Sequence, residues 1–367
     1  MICFLLLVWC ILCCSSAFIG RPRPSHSSWR ERQQRPRHRR LPPRMNLAID
    51  PGVLKATALL EGIFKVKPIM GFAAANARKM MVKRGESIGY SWSDEVDALK
   101  RAKEQLDAEY ERLLDADLHS NYPSYYCVPF HAYDEGNLSW QAAMEAEPAA
   151  VTVHSPLYGD NPSDLRPDGD RMLRHRFHQE MVVMLKERGG MTPERIVDIG
   201  CSTGLSTMKL HETFPTAKIT GVDLSPYMCA VGAYKLQQRG SPDALAHIEY
   251  RHAAGEATGL ADGSVDLVTI CLVHHELPTH AAKDIFREAY RLLKPGGSLA
   301  VMDVNPVSPT FVKLATNPLF FAAFRSTEPY ITEYIQMDIA HEMQEAGFCD
   351  VESRENSPRH RTVVATK

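Results

Sequence analysis

The chain has little of what would mark several common classes of protein. It has no apolar run long enough to span a bilayer, since residues 2–12 are apolar without interruption but a spanning helix needs roughly 20 such residues. It has no paired-cysteine pattern. Four of the nine cysteines fall in the first 14 residues, and Cys127, Cys201, Cys229, Cys271 and Cys349 are odd in number and widely spaced, which excludes a disulfide framework and suits a reducing compartment. No G-x-x-x-x-G-K-[ST] and no G-x-G-x-x-G occurs, so neither a Walker-type phosphate loop nor a dinucleotide fingerprint is supported. Positive charge is scarce in the body: nine arginines against Glu31 lie in residues 1–44, leaving residues 45–367 at −10 within a net charge of −2. That argues against a nucleic-acid-binding surface, which needs clustered Lys and Arg. What is present, 44% hydrophobic and 23% charged residues over 367 positions, is the composition of a folded globular chain.

The first 44 residues read as two stacked targeting signals. Residues 1–17 resemble a signal peptide, with Ser15 and Ala17 as the small residues before a cut at Phe18, although a basic n-region is missing. Residues 18–44, rich in Arg, Pro, Ser and His, have the composition of an organelle transit peptide. The order, with Ser16-Ala17-Phe18 at the junction, resembles the bipartite plastid presequence of algae with secondary plastids and predicts a plastid location. The other reading is a secreted protein or signal anchor with a basic stalk.

Residues 45–190 read as a mostly helical N-terminal region. Residues 55–84 carry seven basic residues against Glu61, interleaved with apolar ones; two core-facing helices broken at Pro68 and a segment lying on a membrane surface are both compatible with that pattern. Ser93 is read as the cap of a helix through Val96, Leu99, Leu106, Tyr110 and Leu113. Residues 122–170 read as a long irregular connection, and a helix over 170–188 ends at Gly189-Gly190.

Residues 191–367 alternate strands and helices, which predicts a Rossmann-like α/β sheet covered on both faces. Strands are expected at 195–200, 218–224, 248–254, 265–273 and 298–304, helices at 280–293 and 331–346, and a closing hairpin of 350–354 with 362–366. The first strand runs into Gly200-Cys201-Ser202-Thr203-Gly204, small residues that let the backbone approach a ligand at a helix amino end. The second ends in Asp223-Leu224-Ser225, a carboxylate where a ribose diol would lie. Together they point to a nucleoside ligand.

On these residues the chain from Arg195 to Lys367 resembles the class I S-adenosylmethionine-dependent methyltransferases, and is similar to the methyltransferase type 11 domain of ubiquinone and menaquinone methyltransferases, with their seven-stranded sheet. Further motifs are Gly255-Glu256-Ala257, the turn Asp262-Gly263-Ser264-Val265-Asp266, and Lys294-Pro295-Gly296-Gly297. Through Asn137 to Ala143 and Ser357 to Thr362 it also resembles plastid methyltransferases of plants and algae with unassigned substrates. The resemblance implies S-adenosylmethionine as cofactor, with Asp198, Gly200, Cys201, Ser202, Thr203 and Gly204 around its methionine and ribose, Asp223 and Leu224 at the ribose, and Glu256 and Ala257 flanking adenine. Ser202 departs from the family's usual third glycine, and Glu256 from its commoner Asp.

His274 and His275, just past the fourth strand, are candidate proton acceptors for the methyl acceptor. The alternative is that one packs under the loop and the other caps a helix. No H-E-x-x-H is present and no metal site is expected. Three readings stay open. One is a plastid enzyme acting on a small or lipidic acceptor, such as a prenylated quinone or other ring compound, with the apolar run 311–324 near it. The others are a protein methyltransferase and a non-catalytic S-adenosylmethionine-binding scaffold. Oligomeric state is not legible.

Overall fold

A computed structural model describes residues 45–367 apart from 65–66, 132 and 160–162, and the side chains of residues 63–74 are also outside the described set. The expected leader segments, 1–17 and 18–44, lie outside the described residues. The N-terminal region is helical: α1 (Pro51–Phe64), α2 (Lys67–Ser87), α3 (Trp92–Arg101), α4 (Lys103–Leu113), α5 (Ala116–Ser120), α6 (Trp140–His154) and α7 (Gly169–Glu187). Two expectations are corrected. The helix expected from Ser93 is divided at Ala102 into α3 and α4, and Ser93 sits in its first turn while Ser91 holds the N-cap position. The supposedly irregular connection contains α6, whose N-cap Ser139 accepts the Ala142 amide at 3.2 Å. Pro148 inside α6 removes one backbone donor, which is why composition concealed the helix.

The C-terminal half follows as β1 (Arg195–Ile199), α8 (Leu205–Thr213), β2 (Lys218–Asp223), α9 (Pro226–Arg239), α10 (Pro242–His247), β3 (Ile248–His252), β4 (Val265–Cys271), α11 (Thr279–Leu292), β5 (Leu293–Val304), α12 (Pro309–Ala315), α13 (Pro318–Arg325), α14 (Ile331–Gln336), α15 (Ile339–Glu345), β6 (Cys349–Glu355) and β7 (His360–Thr366). These strands form a seven-stranded sheet in the order β3-β2-β1-β4-β5-β7-β6. The first five are parallel, and β7 runs antiparallel between β5 and β6. This is the Rossmann-like methyltransferase sheet that the strand and helix pattern predicts. The expected tail helix is two, α14 and α15, because Asp338 breaks it and caps α15 by accepting the His341 amide.

Both faces are covered. α11, α14 and α15 pack Ile285, Phe286, Ile335 and Met343 on one face, and Met45 and Ile49 from the N-terminal region join them. On the other, α7 contributes Leu173, Phe177 and Met181 beside Ile196 of β1 and Ile219 of β2. Each such side chain stabilises the fold by about 1.5–3 kcal/mol. α3 and α6 pack Val96, Leu99 and Ala143 against Val231 of α9. Within residues 55–84, α1 places Glu61 2.9 Å from Arg325 of α13, while Leu59 is 80% exposed. Among the described residues no helix is long and apolar enough to cross a membrane. Of the apolar run 311–324, Phe311, Leu314 and Phe321 are core, whereas Phe320 and Phe324 are half-buried.

Candidate functional site

The carboxyl ends of β1, β2 and β3 build one cradle. After Ile199 the backbone turns through Gly200 at φ +70°, where a Cβ would lie 2.4 Å from the Val273 side chain. Gly204 has φ +89°, and a Cβ there would lie 2.0 Å from the Tyr250 hydroxyl. Only glycine meets both demands. Between them Ser202 takes φ +49°, so serine enters the left-handed conformation that the missing third glycine would adopt without strain. Cys201 and Thr203 are buried beneath the loop.

Asp223, at the end of β2, is held by two amides. The Ser202 N–H donates to Oδ2 at 2.8 Å and the Ser225 N–H to Oδ1 at 2.9 Å. Burial pushes its carboxyl up to about 6, against an ordinary value near 3.9. Asp198 has a different place. It is fully buried, its Oδ2 accepting from Ser206 and Thr207 and its Oδ1 from Thr269. Asp198 therefore braces β1, β4 and the start of α8, shaping the loop from behind. Leu224 is buried and its carbonyl faces His252 Nε2 at 3.1 Å. Because His252 Nδ1 accepts the Asp115 amide, Nε2 carries the proton. Past β3, Glu256 accepts the Tyr125 hydroxyl on Oε1 at 2.6 Å, while its buried Oε2 has no hydrogen-bond partner. Ala257 is exposed beside it.

The sequence gives little sign of the residues that roof this cradle. They come from 122–137 in the N-terminal region, where the cluster Tyr122-Pro123-Ser124-Tyr125-Tyr126 was the one available signal. Tyr122 reaches His252 Nε2 at 3.2 Å, Tyr125 reaches Glu256, and half-buried Tyr126 lies near Asp223. Asn137 links the two halves of the site: its carbonyl accepts the Ser225 hydroxyl at 2.8 Å and its Nδ2 donates to Glu276 Oε2 at 3.2 Å.

The two histidines after β4 part company. His274 is fully buried, stacked on Phe286 with ring centroids 4.7 Å apart, and neither ring nitrogen has a hydrogen-bond partner. Burial lowers its pKa to about 4, and with both ring nitrogens shut away from solvent it takes the alternative place, packed under the loop. His275 places Nδ1 2.8 Å from Asp303 Oδ1, and that carboxylate outweighs burial to raise the ring to about 10. A neutral imidazole, expected here as base, is thus replaced by an imidazolium that donates. Next to it His131, at φ +49°, places Nε2 3.0 Å from Glu328 and 3.7 Å from Glu276. Among the described residues no group of three or more His, Cys, Asp or Glu is arranged to hold a metal ion.

The glycine cradle, the amide-held Asp223 and the unpartnered oxygen of Glu256 fit a nucleoside, and so fit the S-adenosylmethionine that the resemblance implies. Residues 197–301 match the methyltransferase domain family. Erythromycin 3''-O-methyltransferase of Saccharopolyspora erythraea is 29% identical over 182 residues, covering 48% of this chain and 57% of that protein. Demethylmenaquinone methyltransferase of Listeria welshimeri is 30% identical over 149 residues, covering 38% and 59%. The chain thus spans under three fifths of the length of these curated relatives. Among solved structures, Haemonchus contortus phosphoethanolamine N-methyltransferase 2 with S-adenosyl-L-methionine is similar at 15% identity and TM-score 0.44, covering 67% of this chain and 60% of that one.

Proposed function

We propose that this chain is an S-adenosylmethionine-dependent methyltransferase acting on a small or lipidic acceptor. The observation that carries the reading is Asp223, presented at the carboxyl edge of the sheet by the amides of Ser202 and Ser225 beside a loop that only glycines at 200 and 204 allow. S-adenosylmethionine supplies an electrophilic methyl group when bound. The chain's own residues bind and orient: Asp223 accepts from the ribose hydroxyls, Glu256 Oε2 takes a donor from the base, and the tyrosines of 122–126 exclude water. Alignment of this kind can supply roughly 7–11 kcal/mol of the barrier. The test is equilibrium binding of S-adenosylhomocysteine against NAD and ATP. The account expects the first alone to bind, and equal binding of all three sinks it.

The acceptor is, in this reading, a prenylated quinone or another ring compound. The demethylmenaquinone methyltransferase relative and the half-buried Phe320 and Phe324 support that. Incubation with labelled S-adenosylmethionine and a plastid extract tests it. Label in lipid or small molecules supports the reading, and label in protein alone replaces it with a protein methyltransferase. The plastid location rests on the leader; a fluorescent fusion should enter the plastid and a Phe18→Ala fusion should not. Import of both removes Phe18 from the argument.

A further inference from the structure

Glu276 stands where three segments distant in sequence meet. It belongs to the 3-10 turn after β4, and its side chain is 22% exposed. Asn137 donates to its Oε2 at 3.2 Å, and His131 Nε2 lies 3.7 Å from its Oε1. His131 is fixed from behind. Its amide donates to the Thr327 carbonyl, Phe130 packs edge-on against its ring, and the pairing of Phe130 with Tyr133 closes the turn that sets its left-handed φ. Glu328, its side chain 9% exposed, meets His131 at 3.0 Å through Oε1 while its Oε2 is buried with no hydrogen-bond partner. A buried carboxylate oxygen left without a donor is costly.

Resting on the methyltransferase reading, we propose that the acceptor is a hydroxyl compound whose proton Glu276 receives, with His131 of the N-terminal region as the positioning residue that orients Glu276. A hydroxyl suits this geometry because it accepts and donates at once: His275, its Nδ1 committed to Asp303, has Nε2–H to give, and Glu276 takes the proton. The oxygen–methyl bond forms as the methyl–sulfur bond breaks, its electron pair stays on sulfur, and the hydroxyl proton ends on Glu276. The products are a methyl ether, the neutral thioether and a protonated carboxyl. Burial raises the Glu276 carboxyl above its ordinary range, against the pull of the neighbouring imidazoliums His131 and His275. Glu328 and the Tyr126 hydroxyl face it as well.

The deciding experiment is 13C NMR of the full chain labelled at glutamate carboxyls and loaded with S-adenosylhomocysteine. One resonance should titrate above the ordinary glutamate value, vanish in Glu276→Gln, move to higher pH in His131→Gln and return in His131→Lys, which keeps a cation. Asn137→Ala should move it upward too, and serves if Glu276→Gln does not fold. Adding hydroquinone should shift that resonance, and adding anisole, which has no proton to give, should not. A carboxyl titrating in the ordinary range or indifferent to His131, or one that ignores hydroquinone or answers both compounds alike, overturns the proposal. Wild-type chain that does not bind S-adenosylhomocysteine would instead fail the methyltransferase reading itself.

Discussion

His275 and Asp303 are joined twice: ring Nδ1 lies 2.8 Å from Oδ1, and the His275 amide donates to Oδ2 at 3.2 Å. One strand end thereby fixes both the backbone and the ring of the turn above it. The pair also holds Asp303 below its usual range.

Stability should carry opposite signatures from the two neighbouring histidines. His275, raised to about 10, binds its proton more tightly folded than unfolded. Its contribution is complete below about 6.5 and is lost as pH climbs toward 10. His274, lowered to about 4, is protonated first in the unfolded chain, so stability falls as pH drops from about 6.5 toward 4. Thermal unfolding against pH should lose its alkaline limb in His275→Gln and its acid limb in His274→Leu. Identical profiles for both variants would show that the rings share one environment.

Cofactor affinity should depend on the ionisation of Asp223. With its carboxyl at about 6, the anionic acceptor is present above that pH and lost below it, by about tenfold per pH unit at most. Titration calorimetry with S-adenosylhomocysteine between pH 5 and 8 checks this. Affinity independent of pH across that span would place the ribose elsewhere.

The loop should tolerate change at one position and refuse it at another. Gly204→Ala must find room for a Cβ 2.0 Å from the Tyr250 hydroxyl at φ +89°, and should cost upwards of about 2 kcal/mol by adding steric overlap to left-handed strain. Ser202→Gly relieves a φ of +49° at the loss of one contact to Met228, so binding should stay within a few fold. Chemical denaturation of Gly204→Ala and calorimetry of S-adenosylhomocysteine on Ser202→Gly test the contrast, and an unchanged midpoint in the first or lost binding in the second contradicts it.

How legible this site was depends on distance along the chain. The loop 200–204 and Asp223 follow buried strands of regular period, and short-range pattern locates such strands well. Asp303, His131, Asn137, Glu276 and Glu328 come together only through the fold: His131 meets a residue 197 positions away in Glu328, and nothing periodic connects them. His274 and His275 are alike to a sequence reader. A 3-10 turn sends the first onto Phe286 and the second to Asp303. The helix α6 was lost for a local reason, since Pro148 argues against a helix by propensity while Ala143 and Met144, packed in the cluster with α9, hold it in place.

Removing the Tyr125 hydroxyl should loosen the roof without dismantling the cradle. In Tyr125→Phe the Glu256 carboxylate loses its 2.6 Å donor, and a hydrogen bond to a charged group contributes about 1.5–3 kcal/mol. Stopped-flow release of S-adenosylhomocysteine should quicken by about tenfold or more. Unchanged release would mean that the 122–126 segment does not gate the site.

The central claim is that Asp223 and the glycine loop form a nucleoside site for S-adenosylmethionine, and calorimetry at pH 8 on the chain and its Asp223→Ala variant tests it most directly. The account predicts saturable one-to-one binding of S-adenosylhomocysteine to the parent and a loss of about 100-fold or more in the variant, since each charge-assisted hydrogen bond is worth about 1.5–3 kcal/mol. Equal affinity in the two chains, or no binding to the parent, would contradict it.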